Sequence, residues 1–218
     1  MRHINDPITD FEKADVQAKV SAFLTESLLS VDIIYKHFVS QTTSRSTQEK
    51  TTTWTNIYID NAMKGSVTQE DFERDMGLFE RVDSYFRIAY ADFSTISYSP
   101  NVRDLLITDW SDAYTATYVS GTTFTLVGDQ TSIFTAGVEL KVADASTLSN
   151  AVDSSSVTTG VTTVTVLNNT LTASLSSVYV GKVYEVAKPR QKGFTGRSSA
   201  IGIDNVASTY FKIAGRLV

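Results

Sequence analysis

The texture of the chain changes abruptly at Tyr114, and this change constrains the fold more than any single motif. Residues 115–187 contain 25 Ser or Thr and seven charged side chains, and β-branched residues dominate. Such side chains fit a pleated, half-buried surface better than a helix. Alternating segments bounded by Gly, Asn, Asp or Ser predict about four to six antiparallel strands in a small sandwich or barrel. The alternating segments are 123–127, 138–142, 161–167 and 177–186.

The residues before Tyr114 show helical periodicity. Thr9 and Glu12 form a capping-box pattern, so a first helix is expected to begin near Asp10. Its apolar residues recur at steps of three and four, which predicts one stripe on a 3.6-residue period. That face would need a packing partner. The apolar positions of this stripe are Val20, Phe23, Leu24, Leu28, Val31, Tyr35 and Phe38.

A second amphipathic helix is predicted from a second capping-box pattern at residues 66–69. Acidic residues at 70–75 would occupy its first turn, where the helix dipole favours anions. Charged residues, Arg87 among them, fall on the side opposite the apolar stripe. The aromatic stripe is therefore interpreted as core. Its positions are Phe72, Met76, Phe79, Val82, Phe86 and Ala89.

Three shorter segments complete the N-terminal region. Residues 40–53 contain no apolar side chain, which predicts a loop. Residues 54–60 are a candidate for a short strand. Residues 102–110 follow Pro100 and are expected to form a short helix or a turn.

The C-terminal segment 188–218 carries six Lys or Arg and one acidic residue, a net charge of +5, whereas residues 1–114 carry −7 and residues 115–187 carry −3. A basic end on an acidic chain predicts an extended arm that docks on an acidic surface. The predicted fold class is therefore α+β, with a helical domain at 1–114, a β-module at 115–187 and a docking arm at 188–218. The candidate partner-binding residues of the arm are Lys188, Arg190, Lys192, Phe194, Arg197, Tyr210, Phe211 and Arg216.

The composition argues against catalysis and against cofactors. The chain has no Cys, which excludes thiolate chemistry, and its two histidines, His3 and His37, cannot build a multi-histidine metal site. The acidic cluster at 70–75 is explained by its place at a helix start. The glycine-containing segment 193–199 lacks the lysine of a phosphate-binding loop. We therefore expect no catalytic, metal or cofactor site and no enzyme activity.

Three binding alternatives stay open at this point. The basic arm contains a single aromatic residue between 188 and 199, so passing contact with nucleic-acid phosphates is weaker than protein docking as an interpretation. Tyr118, Tyr179 and Tyr184 are candidates for a sugar-stacking platform, although strand alternation puts the last two on opposite faces. No apolar run approaches the roughly 20 residues that span a bilayer, so we expect no membrane partner.

Part of the β-rich region resembles a known class of module. The segment 121–141, with its Gly-Asp-x-Thr-x-x-Phe turn at 128–134, and the later segments 160–166 and 171–181 resemble a β-module that recurs in virion proteins of tailed bacteriophages. The resemblance covers under a third of the chain. It implies an architectural role for the turn and the threonine-rich hairpin, and it is shared by fibre, tail and neck proteins.

The predicted layout is similar to that of the head-to-tail adaptors of tailed phages. The similarity implies a homo-oligomeric ring of about a dozen copies between portal and tail. Its partners would be the portal protein, tail components and, in passing, the packaged DNA, in a protein made in the host cytoplasm and located at the head-tail junction of the virion. The alternative is a decoration or adsorption protein on head or tail, whose β-module binds a host glycan.

Overall fold

The structure is a computed structural model, and it describes residues 30–48, 50–66, 84–89, 100–193 and 208–218. Within these ranges there is no helix, and the ladders between the strands are antiparallel. The predicted α+β class is therefore wrong. By its contacts the chain divides into two compact units, one made of residues 1–106 and 184–218 and the other of residues 107–183.

Six strands form a closed barrel in the order β1, β2, β3, β13, β12, β4. Its interior cluster is built from residues of β1, β2, β3, β4 and β12, with Phe86 and Tyr184 in edge-to-face contact at 5.2 Å between ring centroids. The strands are β1 (Ser30–Thr43), β2 (Lys50–Ser66), β3 (Ser84–Ala89), β4 (Leu105–Thr108), β12 (Lys182–Gly193) and β13 (Ser208–Leu217).

The hairpin of β1 and β2 replaces the second half of the predicted first helix. Ile33 pairs with Ile59 and Tyr35 with Ile57, and all four side chains are buried in the barrel cluster. Alternate residues of a strand share one face, so this pairing buries both apolar rows together. The start of the predicted helix, near residue 10, lies outside the described residues.

The predicted loop at 40–53 is mostly strand. The β1–β2 ladder continues to the pair Thr43 and Lys50, and residues 44–48 make the turn. These strand ends extend past the core and are exposed on both faces, so polar β-branched residues form strand here without any apolar alternation. The strand predicted at 54–60 is confirmed as part of β2.

The end of the predicted second helix is strand β3. Phe86 and Ile88 alternate on its buried face, and Arg87 between them is exposed. The predicted start of that helix at residues 67–69 and the acidic cluster at 70–75 lie outside the described residues, whereas Ser66 ends β2. Residues 105–108, predicted as helix or turn, form β4 with three buried side chains.

The described parts of the C-terminal segment, residues 188–193 and 208–218, do not form an extended arm. β13 lies between β12 and β3 in the barrel and pairs with both, from Ser208 to Leu217 against β12 and from Tyr210 to Gly215 against β3. A segment paired on both sides has its backbone donors and acceptors satisfied within its own chain. The arm prediction is wrong for this reason.

Asp104, directly before β4, links three parts of the barrel. Its buried carboxylate accepts hydrogen bonds from the Tyr35 hydroxyl (2.5 Å) and from the backbone N–H groups of Phe38 (2.8 Å) and Asn101 (2.7 Å). His37 Nδ1 lies 3.2 Å from the same carboxylate. The backbone carbonyl of Asp104 accepts from Val186 N–H in β12. One residue thus connects β1, the turn at 101 and β12.

Burial raises the pKa of Tyr35 far above its ordinary value, and the hydrogen bond to Asp104 and the negative charge of that carboxylate add to the effect. Tyr35 therefore stays protonated and donates its hydrogen bond at any pH at which the protein is folded.

The second unit is a seven-stranded sheet in the order β5, β11, β8, β9, β10, β7, β6. The strands predicted in this region are confirmed, except that the last is divided at Gly181. A Cβ on Gly181 would lie 2.5 Å from side-chain atoms of Ile107 and Trp110, so a glycine is required there. The strands are β5 (Tyr114–Thr115), β6 (Thr117–Ser120), β7 (Thr123–Val127), β8 (Glu139–Ala143), β9 (Thr147–Thr158), β10 (Val161–Val166) and β11 (Ser177–Val180).

The two end strands of this sheet, β5 and β6, are separated in the chain by Ala116 alone. Because one residue spans only about 3.8 Å, the sheet must curl until its ends meet. The curled sheet encloses a separate apolar cluster that includes Phe124, Leu140, Val164 and Val178.

The strands of this unit have one face towards the core and one face away from it, and this explains the high threonine content. Phe124 and Val164 are directly paired and buried, whereas the neighbouring row runs Thr117, Thr125, Thr163 and Ser156 across four strands. These hydroxyl-bearing residues are half-buried or exposed. β-Branched residues with a hydroxyl thus satisfy strand propensity on the face away from the core.

The turn at 128–134 is held by side-chain hydrogen bonds. Asp129 accepts from the backbone N–H and the hydroxyl of Thr131, and these bonds lower the pKa of Asp129. The buried Thr162 donates to the Gly128 carbonyl and accepts from Gln130 N–H. The turn ends on Phe134, which is fully buried in the second cluster.

Replacing Asp104 with Asn tests the link between the strands. The amide keeps the shape but loses the charge and one acceptor oxygen, so buried donors remain without a partner. We expect Asp104→Asn to lower the free energy of unfolding by about 2–4 kcal/mol in urea titration, and Tyr35→Phe to lower it by about 1–2 kcal/mol. The exposed Asp112→Asn is the control. A loss for Asp104→Asn no larger than that of the control would contradict the role assigned to Asp104.

The hairpin between β9 and β10 provides a second test. Its two loop residues, Thr159 and Gly160, have φ values of 51° and 76°, as a type I′ turn requires. Threonine is strained in this left-handed conformation, and asparagine tolerates it. We expect Thr159→Asn to raise the free energy of unfolding by about 1 kcal/mol. Thr158→Asn, one residue earlier in the strand, should give no gain; equal gains at both positions would refute the explanation.

Candidate partner-binding site

Six of the eight candidate binding residues lie on two adjacent strands of the barrel. Lys188, Arg190 and Lys192 are in β12. Tyr210, Phe211 and Arg216 are in β13. Phe194 and Arg197 lie outside the described residues.

The strand register brings three cations into one row. Arg190 of β12 pairs with Lys212 of β13, and Lys212 pairs with Arg87 of β3. Directly paired residues of an antiparallel ladder occupy the same face of the sheet. Arg87 is exposed, so this row belongs to the outer face of the barrel. Arg87 was assigned to a helix surface in the sequence analysis and was missed as a site residue.

By register the rows on either side belong to the same face of the sheet, and within them Tyr85 is half-buried and Ala89 is buried. One row contains Tyr85, Ala214 and Lys188, and the other contains Ala89, Tyr210 and Lys192. Together the three rows hold nine residues on three neighbouring strands, which we call the basic face. Five of these residues are cationic, two are tyrosines, two are alanines and none is acidic. The residues of the basic face are Tyr85, Arg87, Ala89, Lys188, Arg190, Lys192, Tyr210, Lys212 and Ala214.

Phe211 lies in one of the cross-strand rows that alternate with the rows of the basic face. It pairs with Ile88, which is fully buried in the barrel cluster, and the next such pair is Ile213 with Phe86. The register therefore places Phe211 in an interior row, away from the basic face. The placement separates it from its chain neighbours Tyr210 and Lys212. Tyr210 was a candidate binding residue together with Phe211, whereas Lys212 was missed.

Arg216 lies near one end of the basic face, where an acidic residue meets it. Its guanidinium contacts the Glu185 carboxylate at 2.5 Å, and both side chains are a little under half exposed. Exposed ion pairs of this kind contribute at most about 1 kcal/mol. Within the ladder, Glu185 and Arg216 are directly paired, so the acidic charge sits opposite its own cation rather than within the three rows.

The basic face concentrates positive charge, whereas the chain as a whole is negatively charged. Adjacent strands lie about 4.8 Å apart and alternate residues about 6.8 Å apart, so five cations fall within an area of roughly 10 by 14 Å. These separations are comparable with a Debye length of about 8–10 Å, so their fields add. The whole chain nevertheless has a net charge of −5. Like charges in direct cross-strand pairs destabilise a sheet, and an anionic partner would remove that cost.

The other residues considered in the sequence analysis have different surroundings. His37 is in β1 beside Asp104, and His3 lies outside the described residues. The described ranges contain no group of three or more His, Asp or Glu residues placed to hold a metal ion. In the same part of the chain, no helix has the length and apolar character to cross a membrane.

The three candidate sugar-stacking tyrosines do not form a platform. Tyr184 is buried in the barrel cluster, and Tyr179 belongs to the other unit. Tyr179 is half-buried with Lys141 Nζ 4.9 Å from its ring centroid, and the same ammonium lies 5.0 Å from the Trp110 centroid. Among the aromatic residues of 107–183, all of which the structure describes, only Tyr118 is exposed, at 36%.

Comparison of the chain with protein-family models, with curated proteins and with solved structures gives no match.

The repulsion within the cation row predicts a salt effect on stability. Lys212 has a cation on each side, so Lys212→Gln should raise the free energy of unfolding at low ionic strength by about 0.5 kcal/mol. Added NaCl screens the same repulsion and should stabilise the wild type more than the variant. Thermal unfolding at two salt concentrations measures both effects. A variant less stable than wild type at low salt, with an unchanged salt response, would contradict the repulsive row.

Proposed function

We propose that this chain is a non-catalytic structural protein of a tailed-bacteriophage virion and that it acts as a head-to-tail adaptor. In this role, copies of the chain form a ring of about a dozen subunits between portal and tail. The protein is made in the host cytoplasm and works at the head-tail junction of the particle. Its function is mechanical: it joins components and needs no turnover and no cofactor.

One observation carries the proposal. The segment that resembles the phage virion module, 121–181, falls inside the unit 107–183, which has its own apolar cluster. In the resemblance, the turn at 128–134 is architectural, and here its hydrogen bonds serve to seat Phe134 in that cluster. A module with a separate core can be combined with different partner domains, as the occurrence of such modules in several virion proteins implies.

The basic face supplies the means of docking. An adaptor subunit must attract an acidic surface in a defined orientation, and charge complementarity contributes orientation and association rate. The chain as a whole is acidic, so the basic face suits neighbouring copies, the portal or tail components. Docking on this face needs no folding step, since β12 and β13 are already strands of the barrel.

The exposed aromatic residues of the unit 107–183 do not support the glycan-binding alternative. A decoration or adsorption protein of this kind would stack sugars on a cluster of exposed aromatic residues. In the unit 107–183, Tyr118 is exposed by itself, and Tyr179 is engaged with Lys141. We therefore keep the adaptor as the proposed function.

The proposal is tested by locating the chain in its particle. A cryo-electron microscopy map of the phage that encodes it should show density for both units in a closed ring at the neck. In solution, mass photometry of the purified chain should show a ring-sized oligomer or a monomer that joins a ring on addition of portal. Copies spread over the shell, trimeric tail fibres, or absence of the chain from purified particles would overturn the adaptor assignment.

A further inference from the structure

We infer that the outer edge of β9 is an interaction surface at which two copies of this chain pair strand to strand. The surface consists of residues 154–158, which we call the open edge. The inference goes beyond the proposed function, because it names a contact between copies that needs neither portal nor tail. It rests on the backbone pairing of β9, on an exposed valine and on the absence of charge along the edge.

β9 is longer than its neighbour on one side. β8 pairs with residues 147–151 of β9, and just beyond this ladder Gly137 N–H donates to Val152 C=O (2.8 Å). Gly137 has a φ of 86°, which interrupts the extended conformation of the chain before β8. β9 itself continues to Thr158. In residues 107–183, all of which the structure describes, no backbone hydrogen bond reaches the side of 154–158 that faces away from β10.

The turn between β9 and β10 determines which backbone groups point to the open edge. In a type I′ turn the two residues that flank the loop exchange hydrogen bonds, so Thr158 bonds to β10. Hydrogen-bonded and non-hydrogen-bonded pairs alternate along an antiparallel ladder, so Ser156 and Ser154 also bond to β10. The N–H and C=O groups of Ser155 and Val157 therefore point outward.

Val157 is an apolar residue left exposed at the end of a buried row. It pairs with Thr162, which pairs with Leu126, and the side chains of both partners are buried. Because paired residues share one face of a sheet, Val157 lies on the face that carries the core, yet it is 41% exposed. A strand added at the open edge would extend this row and remove Val157 from water.

The open edge is complementary to itself. When a twofold axis passes through Ser156, Ser155 of each copy pairs with Val157 of the other copy. Each of these two pairs exchanges two hydrogen bonds, so the outward donors and acceptors of both copies are all satisfied. Edges that avoid such pairing usually carry a lysine or a proline, whereas residues 154–158 read Ser-Ser-Ser-Val-Thr.

The nearest charged residue does not oppose the pairing. Asp153 directly precedes the open edge, and in the twofold arrangement it lies opposite Thr159 of the other copy. The two aspartates are then about 20 Å apart along the strands, which exceeds a Debye length of about 8 Å. The uncharged edge offers no ion pair to a strongly acidic or basic segment. These charges therefore favour a second copy as the occupant.

The size of the contact determines its strength. Five residues of strand extend over about 17 Å, and a sheet is about 10 Å thick with its side chains, so the strip covers roughly 170 Å² per copy. A stable interface buries about 800 Å² per partner. We therefore expect a weak dimer that forms at high protein concentration and dissociates at the nanomolar concentrations of mass photometry. Because the contact is isologous, it is separate from the heterologous contacts that a ring requires.

A single cysteine tests the pairing directly, because the chain contains no Cys. In the twofold arrangement the two Ser156 residues form a non-hydrogen-bonded pair with Cα atoms about 4.5 Å apart, within the range of a disulfide. Ser156→Cys should therefore form a covalent dimer on oxidation, measured by non-reducing gel electrophoresis. The matched control is Ser154→Cys, whose two thiol-bearing residues would be about 14 Å apart and should crosslink at least about tenfold more slowly.

Sedimentation equilibrium of the full chain measures the non-covalent contact. Val157→Lys places a charge on the open edge and should raise the dissociation constant of the dimer by about tenfold or more. The control is Val127→Lys, because Val127 is an exposed valine of β7, two strands away from β9. This variant should leave the dissociation constant unchanged. Thermal unfolding of each variant verifies that it is folded.

Three results would overturn the inference. Crosslinking of Ser156→Cys no faster than that of Ser154→Cys would show that the copies do not pair in this register. A wild-type chain that stays monomeric up to about 500 µM would assign the open edge to an extended segment of another protein. An effect of Val157→Lys no larger than that of Val127→Lys would place the contact elsewhere. None of these outcomes bears on where the chain lies in a particle, so the adaptor proposal stands or fails separately.

Discussion

The buried carboxylate of Asp104 is the interaction on which the barrel depends. Removing a charged group from water is costly unless its hydrogen-bonding capacity is filled, and here the carboxylate receives bonds from Tyr35, Phe38 and Asn101. The backbone carbonyl of the same residue holds Val186 of β12. Asp104, directly before β4, is thereby tied to β1 through Phe38 and to β12 through Val186 within the closed barrel.

Closure of the barrel determines what the outer surface presents. Burial of Phe86 and Ile88 fixes which face of β3 is inside, and the register then fixes the face occupied by the paired residues of β13 and β12. The residues of the basic face are thus placed on one face of the sheet before any partner arrives. A preformed face avoids the ordering entropy that a flexible arm would lose on docking, and its binding energy is available for affinity.

The sequence predicted β7, β8, β10 and β11 because these segments alternate clearly and are bounded by turn residues, and it missed β5, β6 and β9. It failed in the barrel for two reasons. Val31, Tyr35 and Phe38 fit a helical spacing, but Ile33 and Ile34 between them are β-branched, and the decisive contacts come from β2, which no local pattern reveals. The basic face was half predicted: its three β12 lysine and arginine residues and Tyr210 of β13 were candidate binding residues, whereas Lys212 was missed. Tyr85 and Arg87 join them only through long-range pairing.

In this structure β13 is a permanent strand of the barrel, so the free protein already presents the basic face. Amide hydrogen exchange of the isolated full-length chain, resolved by residue, tests this claim most directly. The account predicts that the amides of residues 210–215, paired on both sides, exchange as slowly as those of β3. Exchange of this segment at the rate of an unstructured peptide, with protection appearing only after a partner is added, would contradict it.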